Sequence, residues 1–286
     1  MVNDIYRYVS VDDVYRTAGI TQEVVSRYDV ERHIERAESF ICRLTKNIYY
    51  HYNLEDRDIQ SATDNTITID EDDFLVNEWK GQFLHITSGT GSGQYRKIVS
   101  NDNNTIVLDR DFVTTPDATS SFSIFYIPNG FKPYVDYTAD GIDGNNKNYM
   151  FLPKFPIRSL EYLKIDNTEI SVNTLNIYRN EGKIVLSSDS ELQTFLKTRP
   201  QLIKVKFWHG VDDLPEDVRR LVEVKSALQL LSQQMGGTFD VPSTFSLPDL
   251  NVSIGQAYVN IKGAVDVLQK EYNELVSKVR IYPVFA

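Results

Sequence analysis

Gly89-Thr-Gly-Ser-Gly93 is the segment of this 286-residue chain that most invites a chemical reading. A glycine run cradles a phosphate when its N–H groups gather at a helix N-terminus, with Lys and Ser or Thr following. Here Gln94 and Tyr95 follow, and residues 95–99 alternate as a strand does. The expectation is therefore a hairpin turn, in which glycine supplies the positive φ. Asp70-Glu-Asp-Asp73 and Asp140-Gly-Ile-Asp-Gly-Asn-Asn146 could each offer oxygen ligands to a hard cation. Neither has the Asp-x-Asp-x-Asp-Gly spacing with a distal Glu that wraps calcium, so both read as solvated loops. Asp140 and Asp143 are the pair to test first for metal. His33, His51, His85 and His209 fall on separate segments without a His-x-x-x-His spacing, and structural roles are expected for each. No serine sits in Gly-x-Ser-x-Gly. Cys42, beside the apolar Ile41, reads as a small packed residue and not a nucleophile. An acid–base pair of carboxylates meets only in space, so forty acidic residues leave that idea uninformative. No catalytic, cofactor-binding or metal-ligating residue is predicted.

The composition bounds what kind of protein could carry these segments. With 41% hydrophobic and 24% charged residues the chain can bury a core, which excludes a largely disordered or fibrous protein. No apolar run approaches the ~20 residues that span a bilayer. The first eight residues lack an apolar signal core, so export by that route is not expected. One cysteine excludes an internal disulfide framework and a multi-cysteine zinc site, and suits a reducing compartment. A net charge of −10 argues against a protein whose main task is gripping nucleic-acid phosphates. Residues 60–127 hold four Lys and Arg against ten Asp and Glu, a compositional island that reads as a separate module.

Stepping along the chain, Ser10-Val-Asp-Asp13 opens a short helix in the manner of a capping box, and Gly19 stops it. A longer helix, capped by Asp29, carries Val30, Ile34, Ala37, Ile41, Leu44 and Ile48 along a narrow seam. Glu31, Glu35 and Glu38, with Arg32, Arg36 and Arg43, flank that seam. From about Ser61 the period becomes two, with strands expected at 66–70, 81–87, 95–99, 105–109 and 121–126 joined by tight turns. That pattern predicts a small antiparallel barrel or sandwich. A third block is extended at 159–165, 175–179, 183–187 and 202–209, after the proline-edged segment 151–158. Leu214-Pro-Glu-Asp217 starts a helix closed by Gly236-Gly237, and 238–252 is a Pro/Ser/Thr-rich connection. A last amphipathic helix carries Ile261, Val265, Leu268, Tyr272, Leu275 and Val279 on one face, before the apolar tail Ile281-Tyr-Pro-Val-Phe-Ala286. The class is α+β: a helical bundle from the N- and C-terminal segments, a central β region and an inserted β barrel or sandwich. The divisions are 1–59, 60–127, 128–237 and 238–286. Seventeen tyrosines and fourteen phenylalanines tilt the balance toward an interaction protein.

The run Asp29-Val-Glu-Arg-His-Ile-Glu-Arg-Ala-Glu-Ser-Phe-Ile-Cys-Arg-Leu-Thr45 resembles the opening of head-to-tail connector (adaptor, or head-completion) proteins of tailed bacteriophages. Phe151-Leu-Pro-Lys-Phe-Pro-Ile-Arg-Ser-Leu160, Val205-Lys-Phe-Trp-His-Gly210 and Leu214-Pro-Glu-Asp-Val-Arg-Arg220 are similar, in the same order, to that family's later half. The likeness covers roughly residues 10–50 and 150–235 and is one of pattern. Leu84–Ile98 is similar to small β modules of assorted phage structural proteins, whereas connectors are often shorter and lack it. The resemblance implies a homo-oligomeric ring, commonly a dodecamer, docked beneath the portal protein and facing a tail protein (nozzle or tail tube) on its other side. It implies a virion neck component assembled in the host cytoplasm, without catalysis or cofactor, through which DNA passes without specific binding. On that reading Ile34, Ile41 and Leu44 pack in the bundle or against the next subunit. Leu268, Tyr272, Leu275, Tyr282, Val284 and Phe285 dock to the portal. The competing expectation is a baseplate or fibre-attachment protein whose β insertion binds a partner or glycan, with Trp79, Tyr95 and Phe112 as stacking surfaces. A hydrolase with an unrecognised carboxylate pair is a third class, and it would need a concave pocket with shifted pKa values.

Overall fold

The structure, a computed structural model, describes residues 7–70, 74–166, 168–190, 192–195, 200–238, 245–247, 250–252 and 255–280. It is mixed α/β, with four α-helices and several antiparallel sheets among the described residues. Two compact units result: Asn47–Asp213, and a discontinuous helical unit from Asp4–Lys46 and Leu214–Pro283.

In the helical unit, α1 (Val11–Ala18) starts at Ser10, whose side chain accepts from the Asp13 N–H, and ends on Gly19 in the left-handed region. That is the capping read from the sequence. α2 (Arg27–Thr45) starts earlier than expected: Ser26, not Asp29, is its N-cap. The Ser26 hydroxyl accepts from the Asp29 N–H (3.2 Å) and donates to the Asp29 carboxylate (2.7 Å), so Asp29 closes the cap from inside the helix. α2 stops at Lys46, which is left-handed at φ 57°, and Ile48 lies beyond it. The buried face of α2 is also wider than the expected seam, taking in His33, Glu38 and Cys42. Glu38, expected on a polar flank, is fully buried because it accepts from the Tyr8 N–H at 3.0 Å.

α3 (Glu216–Thr238) follows Pro215 and packs against α1, α2 and α4 (Gly255–Arg280). It runs through the Gly236-Gly237 pair that was expected to end it. Arg220 of α3 ties three helices together. Its guanidinium donates to both carboxylate oxygens of Glu271 (2.7 and 3.1 Å), to Glu223 (2.6 Å) and to the Thr17 hydroxyl (3.1 Å). The expected Pro/Ser/Thr-rich connection, residues 238–252, contains a two-stranded hairpin, Phe245–Leu247 and Leu250–Val252.

The other unit begins with β1 (His51–Asp58), a strand the sequence reading missed. Its eight residues, His-Tyr-Asn-Leu-Glu-Asp-Arg-Asp, include no β-branched side chain, and two bulges break its pairing with a neighbour. There follow β2 (Ser61–Ala62), β3 (Thr66–Thr68), β4 (Phe83–Ser88), β5 (Tyr95–Asn101), β6 (Thr105–Leu108) and β7 (Ser121–Tyr126). They form one antiparallel sheet in the order β1-β7-β4-β5-β6-β3-β2. The expected barrel is not formed, since no ladder joins the two ends of that order. The end strands are nevertheless consecutive in the chain. Ile59 N–H still donates to Ser120 on the β7 side, and Gln60 N–H already donates to Thr68 of β3.

Beyond it, β8 (Tyr134–Asp136), β9 (Tyr149–Phe151), β10 (Ile157–Ile165), β11 (Thr168–Glu169), β12 (Leu175–Tyr178), β13 (Lys183–Leu186) and β14 (Ile203–His209) make two further sheets. Their orders are β11-β10-β14-β8 and β12-β13-β9. Ile157, Leu160, Leu163, Ile184, Val205 and Phe207 are among the residues of their shared core. A second, aromatic core of Tyr50, Phe83, Tyr95, Phe125 and Trp208 joins the seven-stranded sheet to β14. Beside it lies Arg96, only 1% exposed, donating to Glu161 of β10 at 2.7 Å and to the carbonyls of Tyr95 (2.7 Å) and Asp111 (2.9 Å). Trp208 Nε1–H donates to the same Glu161 oxygen at 3.0 Å.

The glycine run is the β4–β5 turn, with Gly89, Gly91 and Gly93 all at positive φ. A Cβ on Gly89 would lie 2.3 Å from the Thr119 carbonyl oxygen, whereas one on Gly93 would meet nothing within 4 Å. Gly89→Ala is therefore expected to cost roughly 3 kcal/mol, the sum of backbone strain and a steric clash. Gly93→Ala should cost about 1 kcal/mol, from strain alone. Urea unfolding of the two variants checks the order; equal losses would refute the account.

Candidate functional site

One cluster of groups able to do acid–base work lies where β1, β4 and β5 come together. His85 stacks on Tyr95 with ring centres 4.0 Å apart and planes 2° from parallel. The Tyr52 hydroxyl donates to Asp212 at 2.9 Å and stands 3.5 Å from His85 Nδ1. Arg158 pairs with the same Asp212. The strand alternation of β1 and β4 brings Tyr52 and His85 together, and β10 delivers Arg158.

Burial sets the protonation states. Desolvation, helped by the charge of Arg158, lowers the His85 pKa from 6.5 to about 4. Desolvation also pushes the Tyr52, Tyr50 and Tyr95 phenols above their ordinary range. At neutral pH the imidazole and the phenols are uncharged, and the one strong cation is matched by Asp212. The polar groups thus have partners within the cluster or, for Tyr50, in the His209 carbonyl, to which its hydroxyl donates at 2.8 Å. His209 is similar: desolvation and then Lys154 lower its pKa to about 4, while its Nε2 sits 3.2 Å from the Lys132 carbonyl.

The residues singled out in the sequence fall as follows. Ile34 and Ile41 are fully buried in the helical unit, and Leu44 is half-buried. Leu268 and Leu275 are buried on α4, and Tyr272 is half-buried there. Tyr282, Val284 and Phe285 lie outside the described residues. Cys42 is buried, with its Sγ 3.8 Å from the Tyr8 hydroxyl. Asp140 and Asp143 are exposed, and Asp143 accepts from the Gln201 N–H at 2.9 Å. Among the described residues no three His, Cys, Asp or Glu side chains come together as a metal site would need. Trp79, Tyr95 and Phe112 are all buried, which removes them as a stacking surface for sugars.

The large apolar side chains that do stand in water are others. Val24 and Tyr28 (59% and 66% exposed) lie near the start of α2, and Val267 lies on the outer face of α4. Leu75, Val76, Val99 and Val113 lie on the seven-stranded sheet and its loops. Sequence reasoning missed these contacts and the Arg96–Glu161 pair. An outward valine and an inward arginine carry no mark in the chain, because only the tertiary packing assigns them a side.

No protein-family model matches the chain, and no curated protein matches it.

The two histidines generate a pH dependence with a definite sign. With folded pKa values of about 4 against 6.5 for the free side chain, the unfolded chain binds more protons between those values. Their stabilising contribution is full above pH 6.5 and is lost as pH falls toward 4, by on the order of a few kcal/mol per histidine. Urea midpoints at pH 7.5, 5.5 and 4.5 should fall steeply for the wild type and less steeply for His85→Gln and His209→Gln. Parallel curves for all three proteins would refute the assignment.

Proposed function

We propose that this chain is a structural adaptor of a tailed-phage neck, one copy of a ring that joins portal to tail and lets DNA pass. The observation that carries the reading is the distribution of side chains. His85, Tyr52, Tyr95 and His209 are engaged by neighbouring groups in the β unit, while valine, leucine and tyrosine stand exposed among the described residues of both units. Exposed apolar side chains gain free energy by meeting a partner, at about 25 cal/mol per Å² covered.

On this reading the finer architecture is a helical bundle of α1 to α4 with the β structure inserted between α2 and α3. Ile34 and Ile41 are already covered by the chain's own helices, so contact with a sister copy falls to outward residues such as Val24 and Tyr28. Docking to the portal falls to the outer face of α4, with Val267, and to Tyr282, Val284 and Phe285 of the tail. A ring needs a head-to-tail interface whose rotation closes, which a template such as the portal can supply. The net charge of −10 suits a passage that repels DNA phosphates.

Mixing the protein with the portal of its own virus and imaging the mixture tests this directly. A stacked ring is expected, and a variant lacking residues 281–286 should not dock. Tyr28→Ser should weaken assembly about tenfold or more, as for a central contact, without lowering the melting temperature. Intact portal binding by the truncated chain, or an absence of rings on the portal, would overturn the proposal.

A further inference from the structure

A cavity of about 350 Å³ opens between α2, α3 and α4 of the helical unit, a volume at the lower end of the range for small-molecule sites. Its polar lining is one-sided. His33 and Arg36 come from α2, Lys225 and Gln229 from α3, and Gln269 and Tyr272 from α4. No Asp or Glu among the described residues lines it, in a chain with forty of them against thirty Lys and Arg. Among the described residues no carboxylate pairs with Arg36 or with Lys225, the two cations that border the cavity. Lys225 Nζ instead lies 4.8 Å from the Phe40 ring and 5.1 Å from that of Tyr272. The rings hold the ammonium in place without neutralising it.

Two buried atoms here lack partners. His33, 8% exposed, has its Nε2 2.8 Å from Gln233 Oε1, and its Nδ1 meets nothing. Since the Gln233 oxygen can only accept, Nε2 donates to it and Nδ1 is left without a partner. Gln229 Oε1 is the second buried atom without one, and as an amide oxygen it is an acceptor. Polar atoms buried without a partner are costly, so an occupant that satisfies them is favoured.

The cavity thus asks for two things at once: negative oxygens for Arg36 and Lys225, and an O–H for Gln229 Oε1. We propose that it binds a phosphate group that brings an O–H with it, as hydrogen phosphate or as the monoester of a small hydroxyl-bearing molecule. Ionised oxygens of the group accept from the guanidinium and ammonium, and the P–O–H of hydrogen phosphate or the alcohol O–H of the ester donates to Gln229 Oε1, with His33 Nδ1 beside the bound group. Sulfate offers the same shape and charge at neutral pH but no proton.

Calorimetric titration of the full chain with inorganic phosphate, glycerol 3-phosphate and sulfate, at constant ionic strength, tests the assignment. Saturable binding of phosphate or of the phosphate ester is expected, at least tenfold weaker in Arg36→Gln and Lys225→Met. The ¹⁵N resonance of His33 Nδ1 should move on addition of phosphate. Tighter binding of glycerol 3-phosphate identifies a monoester as the occupant, and equal binding identifies phosphate itself. Arg36 is exposed, so its replacement keeps the test sound even if changing Lys225 disturbs packing. Absence of saturable binding, equal affinity in Arg36→Gln, or sulfate binding as tightly as phosphate would each overturn the proposal.

Discussion

A guanidinium that is 1% exposed must have its charge and its donors matched inside the protein, and Arg96 imposes that requirement on much of the β unit. Its charge is met by Glu161 on another sheet, and Glu161 in turn accepts from Trp208. Its remaining donors take the carbonyls of Tyr95 and Asp111 and the Gln94 side chain. Gln94 then accepts from the Val113 N–H at 2.7 Å and donates to the carbonyls of Gly91 and Thr114. One buried cation therefore fixes the loop after β6, the glycine turn and the approach of β5 to β10. Desolvation lowers the pKa of Arg96, and the pairing with Glu161 offsets part of that cost.

The aromatic core grows from the same junction. Tyr95 lies between His85 on one side and Trp208 on the other, and Phe125 stacks on Tyr50 with centres 4.4 Å apart. Arg110 covers the Tyr134 ring at 3.6 Å from above, next to the buried end of this cluster. Desolvation, followed by the charge of Glu161, raises the Tyr134 phenol to about 12, so it too stays neutral. Placed this way, the histidine and tyrosines that would attract a catalytic interpretation serve as flat, neutral packing surfaces. The proposed adaptor role is consistent with that use of them.

The helical unit solves a different problem with the same means. Arg220 satisfies Glu271 and Glu223 and meets Thr17, so α1, α3 and α4 share one ionic knot, and hydrogen bonding to Glu271 raises the pKa of Arg220 further. α1 is brought to α3 across 203 residues of chain, as Thr17 and Arg220 show. At the α2–α3–α4 junction, by comparison, Arg36 and Lys225 border a cavity with no carboxylate partner among the described residues.

Much of the secondary structure was legible because its signals are local. Ser10 and Gly19 bracket α1 by their own hydrogen-bonding and φ preferences, and the alternation in Ser121–Tyr126 marks β7 without reference to any partner. The glycine turn was readable for the same reason. The start of α2 was misplaced because Ser26 and Asp29 both suit a cap, and only the backbone geometry chooses between them. β1 was missed because its residues have little strand preference of their own; its pairing with β7 makes it a strand. Local chemistry thus settled where the chain turns, caps and alternates. Which arginine is buried, which tyrosine faces water, and that the seven-stranded sheet stays unclosed were decided by the tertiary structure. Those outcomes depend on charges and surfaces brought together from distant parts of the chain, and no short window of residues contains both partners.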